Sequence, residues 1–292
     1  MRSFTTTVAV LLATLLAPFA IAGTWLTARV DDRDEYVDTV AGLADDPTVR
    51  SVLADAAADG AIEALQKYVP VGVPAGARDW ARAAATVVVE SPEFPTFWRS
   101  ANADLHDQVL AVLEDPDAPA DGVITVDASL LLAQVLLQLQ DRGIPVGLLP
   151  DIPLLVPVER EAKVAEAGPA YRTADGVIRI LPFGWLALMG VALVAARGWR
   201  GRCRALGLGL LGVALAAVAL LVAADPLASA TLDRVEVERR ELAGVLLDTV
   251  IGSLEPYARG FLLAAPAGLI LVVVSLRSRR RDESPFPEPD YY

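Results

Sequence analysis

The sequence predicts a mainly α protein: four transmembrane helices plus an exported α-rich domain with a short β-ribbon. Three observations predict it. The runs Ile180–Ala196, Ala205–Ala224 and Gly260–Leu276 hold no ionisable side chain, and each has the roughly 17–20 residues that a helix needs to cross a hydrocarbon core of about 30 Å. The first two are joined by Arg197, Gly198, Trp199, Arg200, Gly201, Arg202, Cys203 and Arg204, and the third is followed by Arg277, Arg279, Arg280 and Arg281. Short segments this basic stay in the cytoplasm, so Ile180–Ala196 runs inward, Ala205–Ala224 returns and the C-terminus lies inside. Finally, charge is segregated. Residues 28–178 carry 26 Asp and Glu against 11 Lys and Arg, a net −15, while the whole chain is only −12.

A hydrophobic content of 54% and a mean hydropathy of +0.45 agree with a membrane protein. The concentrated acidity disfavours nucleic acid and anionic headgroups as partners of residues 28–178. Cys203 is the single cysteine, which excludes an intramolecular disulfide and any multi-cysteine metal cluster. An exported domain without cysteine must be held by its core, which is feasible for about 150 residues.

Residues 1–27 open with Arg2 and the apolar run Val8–Trp25. Ala20-Ile21-Ala22 before Gly23 fits a signal-peptidase site, but the run exceeds the usual 7–15 residues of a signal core and is read as a retained anchor. Either reading exports the domain at 28–178. In that domain, Asp46-Pro47 is a helix start leading into Val49, Val52, Leu53, Ala56 and Ala57. Ser91-Pro92-Glu93 has the same form, and Phe94, Phe97, Trp98, Ala101, Leu105, Val109, Val112 and Leu113 succeed it at amphipathic helical spacing. A third helix is expected from Asp127 through Leu139, ended by Gly143. Pro70, Pro74 and the run Asp115–Asp121 read as loops. Val123–Val126 and Pro153–Glu159 are extended pieces that can pair as a ribbon, the second at an edge because of its prolines. Glu159–Ala167 reads as a last helix.

The segment 225–259 is polar again and lies outside with the domain. Within it Leu242, Val245, Leu246, Thr249, Val250 and Leu254 form an amphipathic helix. Its mixed polar face lacks the Lys/Arg excess of an interfacial helix, so it is expected to dock on the acidic domain. Residues 260–276 are the last span, and the cytoplasmic tail 277–292 reads as disordered.

The blocks Tyr36-Val37-Asp38-Thr39-Val40-Ala41, Asp46-Pro47-x-Val49, Ser91-Pro92-x-Phe94 and Trp98-x-x-Ala101-Asn102-x-x-x-His106 resemble a group of uncharacterised actinobacterial integral membrane proteins. The resemblance implies architecture over most of the chain: an N-terminal anchor, an exported helical domain and three further membrane helices. It implies no activity.

Trp98, Asn102 and His106 share one helix face. Two readings are open: a ligand or partner face centred on His106, the only histidine, or a satisfied polar set beneath a loop. No serine or cysteine stands near enough in sequence to complete a catalytic set. Zinc catalysis lacks ligands. Asp31-Asp32-x-Asp34-Glu35 could meet a hard cation but lacks calcium-loop spacing. No phosphate cradle or nucleophile elbow is present. Pro182 and Pro266 could break spans around a transport site, although the three later spans lack the ionisable groups that mark such sites. Gly207, Gly209, Gly212 and Ala216 read as a close-packing face.

The sequence therefore points to a multi-pass plasma-membrane protein with both termini cytoplasmic and residues 28–178 and 225–259 extracytoplasmic. The expectation is non-enzymatic binding of an envelope protein or cell-wall partner, with no cofactor and no metal. A small transporter or export accessory is the alternative. Oligomeric state is left open.

Overall fold

The computed structural model describes residues 2–68, 76–117, 121–141, 153–233, 235 and 240–277. The expectations for Pro70, Pro74, Gly143, Arg279, Arg280, Arg281 and the tail lie outside these residues. The fold is mainly α, and the described residues divide into two compact units: those within 2–27, 175–230 and 251–277 form one, and those within 28–174 and 231–250 form the other.

The first unit holds four long apolar helical segments. α1 is Arg2–Leu26, α8 is Gly168–Ala195, α9 is Gly198–Leu232, and the last segment is built from α11 (Leu254–Phe261) and α12 (Ala264–Arg277). All four are long and apolar enough to cross a membrane. Their side-chain contacts set the directions. Ala9 and Val10 of α1 pack with Ala192 and Ala196 of α8 and with Ala205 of α9, and farther along Ala17 and Ile21 pack with Ala216 and Ala217. α1 and α9 are therefore parallel. Gly207 meets Gly268, Leu271 and Val272, while Gly268 meets Leu211, so α12 runs opposite to α9. Gly209 against Met189 and Gly201 against Ala196 set α8 opposite to α9 as well. The result is an up-down-up-down bundle whose close approaches use glycine, as expected where lipid offers no hydrophobic drive.

Two expectations about this unit are corrected. The basic turn between the middle spans is only Ala196 and Arg197; α9 begins at Gly198, whose φ of +64° suits glycine. Arg200, Arg202 and Arg204 thus sit on the first turns of a helix, because apolarity marks membrane depth and not helix ends. α8 and α9 also continue beyond their apolar runs through polar residues such as Asp175, Arg179 and Asp225.

The second unit is a helical domain. After a π-helical turn at Thr27–Asp31 come α2 (Arg33–Val40), a 3-10 turn (Ala41–Asp45), α3 (Pro47–Tyr68), α4 (Ala77–Val89), α5 (Phe94–Glu114), β1 (Val123–Asp127), α6 (Ser129–Gln140), β2 (Leu155–Arg160), α7 (Glu161–Ala165) and α10 (Arg240–Gly252). Local chemistry explains most starts. Asp32 caps α2 by accepting from the Glu35 amide at 3.0 Å, and Asp46 caps α3 by accepting from Thr48 and Val49 at 2.8 and 3.2 Å. Ser91 does not cap α5, contrary to expectation. That helix begins at Phe94 with Glu93 ahead of it, and the Ser91 hydroxyl is buried without a partner.

The core joins Val40, Leu43, Val49, Leu65, Val88, Val89, Phe94, Leu132, Val135 and Leu139. Ala54, Ala57, Ala58, Ala61, Ala81, Ala84 and Ala85 fill the space between, and such small side chains let helix axes approach closely. Leu242, Val245, Leu246 and Val250 of α10 pack on this core, as the amphipathic pattern predicts.

β1 and β2 pair antiparallel, with Thr125 opposite Pro157 and an irregularity between Ile124 and Thr125. The Gln108 side chain satisfies the outer edge: its Nε2 donates to the Thr125 carbonyl at 3.0 Å, and its Oε1 accepts from the Thr125 amide at 3.2 Å. Thr125 therefore faces away from β2, so proline opposite it removes no ladder bond.

Candidate functional site

Trp98, Asn102 and His106 do share one face of α5, and all three are buried. Each donates to a backbone carbonyl. The Trp98 indole Nε1 donates to the Val40 carbonyl at 2.8 Å, where α2 gives way to the 3-10 turn. Asn102 Nδ2 donates to Trp98 one turn back at 2.9 Å. His106 Nε2 lies 2.8 Å from the Val30 carbonyl in the π-helical turn; a carbonyl only accepts, so Nε2 carries the hydrogen. The face docks α5 onto α2 and the turn before it.

His106 leaves one atom over. Its Nδ1 is buried without a hydrogen bond, and the nearest carboxylate, Asp107, stands 3.9 Å away, too far for one. The Tyr36 ring lies against the imidazole with centroids 4.9 Å apart, and burial raises the Tyr36 phenol above its ordinary pKa. Arg33 pairs with Asp107 at 3.0 Å, and Arg99 pairs with Asp38, again joining α2 to α5. These ion pairs are exposed and fix register more than they add stability. No hydroxyl or thiol nucleophile adjoins His106 through a hydrogen bond among the described residues.

A second candidate lies outside the sequence expectations. A cleft of about 270 Å³ opens between α3 and α4, lined by Asp45, Pro47, Arg50, Ser51, Arg82, Thr86 and Glu90 among others. Arg50 is anchored by Nε to the Ala44 carbonyl at 2.7 Å and by Nη2 to Asp45 at 2.5 Å. Arg82 pairs with Asp55 at 2.5 Å. The lining offers two guanidinium groups, two carboxylates and two hydroxyls, a mixed-charge surface suited to polar contacts. Sequence reading passes over it because α4 goes unrecognised, although Ala77, Ala81, Ala84, Ala85 and Val88 recur at helical spacing.

Among the described residues no three His, Cys, Asp or Glu side chains are placed to hold a metal ion. The Asp31–Glu35 stretch is spent otherwise: Asp32 caps α2, Asp31 accepts from the Tyr171 hydroxyl at 3.3 Å, and Glu35 pairs with Arg29. In the bundle, Pro182 lies inside continuous α8. Pro266 sits in the first turn of α12, just after an interruption at Leu262 and Leu263. The amides of Leu262, Leu263 and Ala265 there donate to carbonyls three residues back. The interruption is a tightened turn, not an open set of backbone ligands.

Comparison with protein-family models, with curated proteins and with solved structures finds no match for the chain. What the fold defines is a class: a mainly α protein with four helices suited to crossing a membrane and a separate helical unit with its own core.

Proposed function

We propose that this is a multi-pass plasma-membrane protein whose acidic unit faces outward and binds an envelope protein or cell-wall partner without catalysing a reaction. The observation that carries the reading is the bundle's charge asymmetry. Arg197, Arg200, Arg202, Arg204 and Arg277 fall at one end of it. Basic ends stay in the cytoplasm. Leu26, Asp175, Ala230 and Leu254 belong by helix direction to the bundle's other end. Both termini are then cytoplasmic. The resemblance to the actinobacterial membrane proteins is part of this reading.

On this reading the partner meets the cleft between α3 and α4, a choice supported by the Trp98–Asn102–His106 face being buried and engaged with backbone carbonyls. A photo-crosslinking residue at Thr86, in cells of the source organism, tests it. A discrete adduct that is lost with Arg82→Gln but kept with Arg99→Gln is expected. Absence of any adduct, or one indifferent to Arg82, would count against the cleft. Solute flux in liposomes holding only this chain would instead favour transport.

A further inference from the structure

Arg197, Arg200, Arg202 and Arg204 are all exposed, as is Arg277 at the end of α12. They are separated in sequence, but the bundle's registers bring them to one rim. Gly207, three residues beyond Arg204, lies against Val272, five residues before Arg277. Ala196 and Ala205 meet Ala9 and Val10, so the first turns of α1 belong to this rim too. No Asp or Glu occurs in residues 2–27, 180–224 or 260–277. At the other end acids accompany the arginines: Asp175 pairs with Arg179, and Glu255 pairs with Arg259.

Helix dipoles do not account for this asymmetry. α1 and α9 begin at the arginine rim while α8 and α12 end there, so their end charges offset. The field at the rim is that of the guanidinium groups. Trp199 is 74% exposed among these arginines, which suits an indole lying at headgroup depth. Arginine forks match phosphate oxygens in a bidentate way.

We infer that the rim is a selective docking site for anionic phospholipid headgroups, beyond its part in orienting the protein. Lipids with a net negative phosphate are held between α8, α9 and α12 in preference to zwitterionic ones. This preference does not depend on what the cleft binds.

The full-length protein, reconstituted in mixed phosphatidylglycerol and phosphatidylcholine vesicles, is probed with spin-labelled lipids to obtain the relative association constant of the anionic lipid. Each arginine near a charged headgroup is worth roughly fivefold. Allowing for screening of exposed charges, Arg200→Gln/Arg202→Gln/Arg204→Gln should lower the anionic preference at least about tenfold. The same three changed to Lys should keep most of it, and Arg179→Gln/Arg259→Gln should leave it unchanged. Equal association of the two lipids with the wild type, or an unchanged preference in the Gln variant, would overturn the inference. If the Gln variant does not insert, the wild type decides: the preference must fall as ionic strength rises from about 0.05 to about 0.5 M, and a salt-independent preference refutes it. Loss of preference on replacing chloride with inorganic phosphate at constant ionic strength would mean a free-phosphate site and also overturn it.

Discussion

Gly268 to Ala is the substitution whose consequence the bundle defines most sharply. A Cβ at Gly268 would lie 2.7 Å from the Gly207 carbonyl oxygen and 3.1 Å from the backbone nitrogen and Cγ of Leu211. The first is about 0.6 Å inside the ~3.3 Å at which carbon meets a carbonyl oxygen without repulsion. The nearest opposing atom, the Gly207 carbonyl oxygen, and the Leu211 nitrogen are helix backbone and cannot rotate away, so α9 and α12 must separate along their contact. Overpacking of this kind costs about 1–3 kcal/mol, and the better helix propensity of alanine returns roughly 0.8–1 kcal/mol. The net expectation is a loss of about 0–2 kcal/mol against the wild type, and of about 1–3 kcal/mol against a glycine-to-alanine change that gains the same propensity without the clash. Gly190 in the same bundle is the control, because nothing lies within 4 Å of its added Cβ. Gly190→Ala should be neutral or slightly stabilising. Equilibrium unfolding of both variants in one detergent reads the difference. Equal stability of the two would refute the α9–α12 register, and with it the placement of Arg277 beside the α9 arginines.

Trp98→Phe keeps an aromatic side chain but removes the indole N–H that reaches the Val40 carbonyl and part of the buried volume, and should cost the protein about 1–3 kcal/mol in denaturant unfolding. Gln108→Leu opens both bonds to Thr125. Its signature is faster amide exchange along β1, with about 1–2 kcal/mol lost. Because burial raises the Tyr36 phenol, the folded state holds that proton more tightly than the unfolded chain. Its contribution is complete below about pH 10 and falls as pH rises through the higher folded value; Tyr36→Phe should remove this alkaline decline in a pH–stability series. Asp127 behaves oppositely: the Ser129 hydroxyl and amide lower its carboxyl pKa. Its small contribution is present above about pH 4 and lost on acidification, and Asp127→Asn should flatten that limb.

The spans and the ribbon were legible because each is written in one local signal. Unbroken apolarity marks Ala205–Ala224, and the β-branched run Val123–Val126 marks β1. The docking of α10 was legible too, since its mixed polar face left an apolar stripe needing a core. α4 was not, because its buried face is mostly alanine, which gives little hydrophobic contrast until α3 and α6 are packed against it. The cleft was hidden with it. The partners of Trp98 and His106 are 58 and 76 residues away in sequence, so nothing local announces which carbonyls they satisfy. The start of α9 was misplaced because its first turns carry arginines, which suit a helix as well as a loop.

Orientation is the claim on which the functional reading stands, and labelling tests it directly. In a Cys203→Ser background, single cysteines at exposed Ser100 and exposed Trp199 are treated with a membrane-impermeant maleimide, first on intact cells and then after lysis. With the arginine rim inside, Ser100→Cys should react in intact cells and Trp199→Cys only after lysis. Reaction of Trp199→Cys in intact cells, with Ser100→Cys protected until lysis, would invert the protein and contradict the outward placement of the acidic unit.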